Sequence, residues 1–277
     1  MKTTFYVFLT LAGLTAVLLG LGRLFSSRNN IHEKTEWGAI FKAHGIDSAT
    51  FEIIEQSKER AFFYNIGLGS RRAIPASTFK VFLSLVALET GVAPNEDMII
   101  PYNGKPSGNK LWDSSINMSY ALEVSSEPYY RELAKRIGKS EIKRWADSVK
   151  YGNMVINDPI EDCWHNGTLL ITPDEQVGFV KKLYFDELPF SKRAQRIVRT
   201  MMLRETGEKY KLYHKTGTHV KDGLVSSWVV GYVEDSTNHP YFFSNYYQTK
   251  DTNIEKLRKE RIDIVKEVFG TMGIMRK

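Results

Sequence analysis

The sequence predicts an α+β fold, an antiparallel sheet of about five or more strands built from both chain ends, flanked by terminal helices and joined to an inserted helical lobe. Three observations predict it. Period-two alternation marks the early segments "ATFEIIEQ" and "RAFFYN". The same period returns late in "KYKLYHKTG", "VSSWVVGYVE" and "YFFSNYYQ". Helical spacing fills the interval between them. Strands confined to the two ends of a chain share one sheet only if the ends meet, which makes the helices an insertion and leaves a cleft where the two lobes join.

Taken in order, "ATFEIIEQ" and "RAFFYN" are separated by "SKE" and read as an antiparallel hairpin, and "IGLGSRRAIPA" reads as a loop. From Ser77, "STFKVFLSLVALETG" sets Phe79, Phe82, Leu83, Leu85 and Val86 too densely for an exposed strand. A mostly buried helix beginning at Ser77 and stopped by Gly91 follows. "SYALEV", "PYYRELAKRIG" and "KSEIKRWADSVK" are helical, with Gly138 as a break. "ITPDEQVGFVKKLYFDEL" opens on Thr172, Pro173 and Glu175, a capping box with proline in the first turn. "SKRAQRIVRTMM" is a further helix, and an amphipathic helix over about residues 253 to 269 ends the pattern.

Of 277 residues, 42% are hydrophobic and 12% aromatic, enough to build one compact domain over residues 31–277. Residues 1–30 read differently. "TTFYVFLTLAGLTAVLLGLG" carries no charge and is closed by Arg23, which predicts a signal peptide or an N-terminal membrane anchor. Both imply export, with membrane contact only through this segment. The net charge is +6, but basic residues alternate with acidic ones, as in "NIEKLRKERIDIVKE". Such runs read as solvated helix faces, and no nucleic-acid partner is expected. Cys163 is the single cysteine, which excludes an internal disulfide, and it reads as a buried, inert thiol. The six histidines lack HExxH spacing, and no metal is expected.

Chemistry concentrates in two short stretches. In "PASTFK", Ser77 and Lys80 stand three apart and share one helix face. A serine hydroxyl becomes a nucleophile when a neighbouring base takes its proton, and lysine serves as that base only when kept neutral or modified. Taken alone, Ser-x-x-Lys is more simply a helix cap with a solvated lysine. In "HKTGT", Lys215 and Thr216 offer a cation and a hydroxyl to a substrate carboxylate, and Gly217 removes a side chain where substrate backbone must approach. Alone, that stretch is a polar strand end.

With "YGN" at 151–153, "CWHNG", "LLITPDEQVGFVKKLYFDELPFS" and "SSWVVGYVE", these elements resemble the penicillin-recognising serine enzymes. More narrowly they resemble the class D, oxacillinase-type β-lactamases, over about residues 50 to 270. The resemblance implies that Ser77 is acylated by a β-lactam and that Lys80 is the base as N-carboxylysine, made by adding carbon dioxide or bicarbonate and needing no other cofactor. It implies that Ser125 relays a proton to the lactam nitrogen and that Trp164 hydrogen-bonds the carbamate. Lys215, Thr216 and Arg258 would bind the substrate carboxylate. The backbone N–H groups of Ser77 and Thr218 would form the oxyanion hole. The implied protein is a periplasmic or membrane-anchored β-lactam hydrolase, with its oligomeric state left open. Two other readings are a β-lactam sensor that scarcely turns over, whose known examples carry several spans and an effector, and a transpeptidase or carboxypeptidase acting on D-Ala-D-Ala peptides.

One position departs from the family pattern. Where the family has Ser-x-Val, this chain has Ser125-Ser126-Glu127. If Glu127 points inward it favours charged Lys80 and opposes a carbamate, since like charges about 4 Å apart cost roughly 4 kcal/mol at an effective dielectric of 20. Poor carbamylation and slow deacylation are the expectation. Two alternatives are a Glu127 that is itself the hydrolytic base, with Lys80 serving only acylation, and a Glu127 turned to solvent.

Overall fold

The computed structural model describes residues 30–275, so the charge-free run of the N-terminal segment lies outside the described residues. Among these, no helix is long and apolar enough to cross a membrane. Strands β1 (Ile31–Glu33), β2 (Ser48–Glu55) and β3 (Arg60–Tyr64) come first, with helix α1 (Gly38–Ala43) between β1 and β2. A one-turn helix α2 (Ile66–Gly69) then leads to α3 (Phe79–Glu89). The ribbon β4 (Ile99–Ile100) and β5 (Ile116–Asn117) precedes α4 (Met118–Glu123), α5 (Glu127–Ile137), α6 (Lys139–Val149), α7 (Pro173–Tyr184) and α8 (Lys192–Met201). Strands β6 (Leu203–Thr206), β7 (Tyr210–Lys221), β8 (Leu224–Asp235) and β9 (Pro240–Thr249) return the chain to the sheet, and α9 (Ile254–Thr271) covers it.

Both chain ends build the sheet, in the order β1-β3-β2-β9-β8-β7-β6. The expected hairpin is present, with Phe51 opposite Tyr64 and Glu55 opposite Arg60. β2 then pairs antiparallel with β9, which closes the two ends onto each other. β1 joins β3 in parallel, an edge too short to show a period in the sequence.

The central strands are apolar on both faces, which explains their near-continuous hydrophobic runs. On β9, Phe242 enters the core under the inserted helices while its neighbour Phe243 enters the core under α1 and α9. Trp37 and Phe269 fill the second core, and the Trp37 indole donates to Thr271 Oγ1 at 3.1 Å, tying the region around α1 to α9.

The Thr172 hydroxyl accepts from Glu175 N at 3.0 Å and Glu175 Oε2 accepts from Thr172 N at 2.9 Å, completing the expected capping box. The helix expected to begin at Ser77 begins at Phe79 instead, because residues Ala76–Thr78 form a 3-10 turn ahead of it. The segment read as a loop at "IGLG" holds one helical turn, capped by Asn65, whose side chain accepts from Leu68 N.

Candidate active site

The turn carrying Ser77 is held under constraint. Ala76 is fully buried with φ of 49°, a left-handed conformation that costs a β-carbon residue on the order of 1–3 kcal/mol. Packing repays that cost. Thr78 Oγ1 donates to Pro75 O at 2.7 Å and accepts from Gln176 Nε2 at 2.7 Å, which pins the turn to α7. β7 presses against the same turn: a Cβ on Gly217 would lie 3.0 Å from Pro75 O and 3.2 Å from Thr78 Cγ2. Glycine at this position therefore admits the backbone of the turn that carries Ser77, where the sequence suggested the substrate's.

One turn beyond Ser77, Lys80 is fully buried. Its Nζ donates to Ser125 O at 2.8 Å and to Glu127 Oε1 at 2.5 Å, and lies 3.4 Å from Ser125 Oγ. Ser125 reaches this position through a left-handed turn, φ 58°, after α4. Ser126 then caps α5, its hydroxyl accepting from Tyr129 N, which makes Glu127 the first residue of that helix. A carboxylate is favoured there by the helix dipole.

Glu127 points inward. Its Oε1 accepts from the Ser77 hydroxyl at 3.1 Å, its Oε2 accepts from the Trp164 indole at 3.3 Å, and His165 Nε2 lies 3.5 Å from Oε1. Trp164 is itself buried and stacked on Phe79, with ring centroids 5.9 Å apart. Burial would raise the Glu127 carboxyl, but Lys80 and His165 outweigh it and hold the group well below the usual carboxylate range. Burial pushes Lys80 below the ordinary lysine value although Glu127 opposes the shift. The carboxylate and the amine, 2.5 Å apart, give a proton a short path between them.

Lys215 lies at the far side of Ser125. Its Nζ donates to Ser125 Oγ at 2.9 Å and to Thr216 O at 2.9 Å, and burial, with Lys80, Arg204 and Arg261 nearby, holds it well below its ordinary value. The amine expected to face a substrate carboxylate thus faces Ser125.

Ser77, Ser125, Thr216, Gly217 and Thr218 open onto one cleft of about 590 Å³. Arg258 reaches its rim, where it pairs with Glu255 at 2.6 Å. Arg261, which the sequence reading passed over, is nearly buried against the Lys-Thr-Gly strand. Its guanidinium donates to Thr218 Oγ1 at 2.9 Å and to Gly217 O at 3.3 Å. Burial lowers its pKa to about 10. A signal existed: Leu257, Arg261, Ile264 and Val268 share one face of α9, and a lone arginine on an apolar stripe asks for a reason. Cys163 is buried, its thiol pushed up to about 12 by burial, and takes no part in the cluster.

Among known proteins, a family model described as penicillin binding protein transpeptidase domain matches residues 39–270. The chain is 30% identical to the β-lactamase OXA-10 of Pseudomonas aeruginosa over 249 residues, 88% of this chain and 92% of that one. The crystal structure of the class D β-lactamase YbXI from Nostoc superposes with a TM-score of 0.81 at 32% identity, covering 86% of this chain and 98% of its own. The C-terminal domain of the Bacillus licheniformis BlaR penicillin-receptor superposes with a TM-score of 0.82 at 28% identity, covering 88% and 97%.

Proposed function

Because this chain belongs to the penicillin-binding-protein transpeptidase family and, within it, to the class D β-lactamases, we propose that it hydrolyses the β-lactam amide of penicillin-type antibiotics with Ser77 as its nucleophile. One observation carries the assignment: the Ser77 hydroxyl, in a constrained turn at a helix start, donates to a carboxylate 3.1 Å away. That contact polarises the hydroxyl towards attack. Ser77 Oγ would bond to the lactam carbonyl carbon, the C–N bond would break, and the leaving nitrogen would take a proton from Ser125. Lys80 and Lys215 flank Ser125 as proton sources. The backbone N–H groups of Ser77 and Thr218 would receive the oxyanion. Water would then cleave the Ser77 ester.

For the substrate carboxylate, Thr216 and Arg261 are better placed than Lys215 or Arg258, since Lys215 is engaged by Ser125 and Arg258 by Glu255. The charge-free run of the first thirty residues supports export to the outer side of a bacterial inner membrane. A second reading, a receptor acylated with little turnover, is favoured by the likeness to the BlaR domain.

Mass spectrometry over time with a penicillin, beside absorbance of a chromogenic cephalosporin, separates the two. An adduct on Ser77 that decays with many turnovers is the expected result. An adduct that persists at one equivalent would make the protein a receptor. Ser77→Ala should form no adduct while keeping its thermal midpoint, and an adduct on that variant would end the assignment.

A further inference from the structure

The family's lysine carbamate does not fit the surroundings of Lys80. A carbamate nitrogen keeps a single N–H, whereas Lys80 Nζ faces two acceptors, Glu127 Oε1 at 2.5 Å and Ser125 O at 2.8 Å. Both distances demand donated protons, as from an ammonium. The added carboxylate would also enter the space beside Glu127, which already bears a negative charge.

The partners a carbamate would need are engaged by another carboxylate. Trp164, which the resemblance assigns to the carbamate, donates its indole N–H to Glu127 Oε2, and the Ser77 hydroxyl donates to Glu127 Oε1. The backbone of Glu127 is fixed as the first residue of α5, after the Ser126 cap and before Pro128. The carboxylate is thus delivered by the helix rather than by a reversible modification.

Resting on the β-lactamase reading above, we propose that Glu127 is the catalytic base of both half-reactions, a built-in carboxylate in place of the lysine carbamate, and that turnover is independent of carbon dioxide. In acylation, the Ser77 proton passes to Glu127 as the Oγ–C bond forms. Ser125 protonates the lactam nitrogen as the C–N bond breaks, Lys80 yields a proton to Ser125, and Lys80 then takes from Glu127 the proton that left Ser77. In deacylation, a water oxygen bonds to the ester carbon, its proton goes to Glu127, and Ser77 Oγ leaves and recovers that proton. The sum is amide plus water to acid plus amine, with Glu127 and Lys80 unchanged. The proposal departs from the slow deacylation expected from the sequence and extends the alternative in which Glu127 serves hydrolysis alone, because the inward carboxylate bonds Ser77 as well as Lys80.

The test compares hydrolysis of a chromogenic cephalosporin in carbon-dioxide-depleted buffer and in added bicarbonate, with carbon-13 NMR on labelled bicarbonate. The native protein should change kcat by less than about twofold and give no carbamate signal, while Glu127→Gln, nearly isosteric, should lose about a hundredfold or more in kcat and accumulate the Ser77 adduct. Glu127→Val, which clears the space around Lys80, should acquire dependence on bicarbonate. Strong activation of the native protein by bicarbonate with a carbamate signal would overturn the proposal, as would native kcat in Glu127→Gln. If the native protein forms no adduct with penicillin at all, the β-lactam reading itself falls and takes this proposal with it. That result is told apart from the others by the missing adduct.

Discussion

Glu52 and Glu127 are both carboxylates withdrawn from water, one in strand β2 beneath Gly69 and the other at the first turn of α5, yet their acidities move in opposite directions. Glu52 is 2% exposed, and a Cβ on Gly69 would lie 2.1 Å from its Oε1. Burial, with a smaller push from Asp174, raises its pKa to about 8. Burial acts on Glu127 in the same sense, but Lys80 at 2.5 Å, aided by His165, reverses the outcome. Desolvation penalises the charged form at both places, and the neighbour decides the sign. A carboxylate withdrawn from water stays fully ionised at neutral pH where a cation offsets its desolvation.

Lys80→Met breaks the comparison most sharply. Without its cation Glu127 should follow Glu52 upward and protonate, so that kcat falls by about a thousandfold through loss of the base and of the relay to Ser125. Stability should change its pH dependence as well. In the native protein the depressed Glu127 contributes stability that is present above the unfolded value near 4.5 and is lost as pH falls below it. In the variant the contribution changes sign, and stability declines as pH rises from that value. Urea unfolding from about pH 3 to 8, which reaches below the unfolded value as well as above it, together with single-turnover kinetics, checks both. An unchanged pH profile would mean that Lys80 does not hold Glu127 ionised.

Glu52→Gln probes the other arm. Between the unfolded value of 4.5 and the folded value of about 8, the unfolded chain releases a proton that the folded protein retains, so stability falls as pH rises through this window. At pH 7 the linked penalty is about 3 kcal/mol, and glutamine should recover up to that amount while leaving activity alone. Equal urea midpoints for native and variant at pH 8, with equal slopes below it, would show that Glu52 ionises freely in the folded protein.

The same contrast explains what was legible in the sequence. β2, β3, β7, β8 and β9 are each apolar over a stretch long enough to read, and the Thr172 capping box is a local pattern that needs no tertiary context. β1 and β6 are short edges whose pairing comes from their neighbours, so no period announces them. At the site, spacing brought Ser77 and Lys80 together, the Lys-Thr-Gly strand was read from its own residues, and the resemblance supplied Ser125 and Trp164. Glu127 stood out as an acid in an apolar position, but its direction depends on the left-handed turn at Ser125, which is a tertiary outcome. The strain at Ala76 was invisible for the same reason. Arg258 and Arg261 stand three apart on one helix, and the apolar stripe of Leu257, Ile264 and Val268, which marks Arg261 as the inward one, was there to be read.

That last difference gives the smallest and cleanest test, in which one buried charge is set against one exposed charge on the same helix. Arg258 is paired with Glu255 at the surface, an arrangement worth about 0–1 kcal/mol, so Arg258→Ala should alter kcat/KM by no more than about twofold. Arg261 is 7% exposed and bonds Thr218 on the strand that borders the Ser77 turn. If it also receives the substrate carboxylate, Arg261→Ala should lower kcat/KM by about ten- to a hundredfold, the range of a charge-assisted contact in a cleft. Removing a buried guanidinium also disturbs packing, so a loss of rate alone does not identify the contact. A penicillin and its methyl ester separate the two effects, because the ester lacks the charge that Arg261 would bind. Native protein should prefer the acid, and Arg261→Ala should lose most of that preference while Arg258→Ala keeps it. If Arg261→Ala slows both substrates equally, Arg261 braces β7 and Thr218 rather than reading the substrate's charge, and the carboxylate must be held by Thr216 or another group of the cleft.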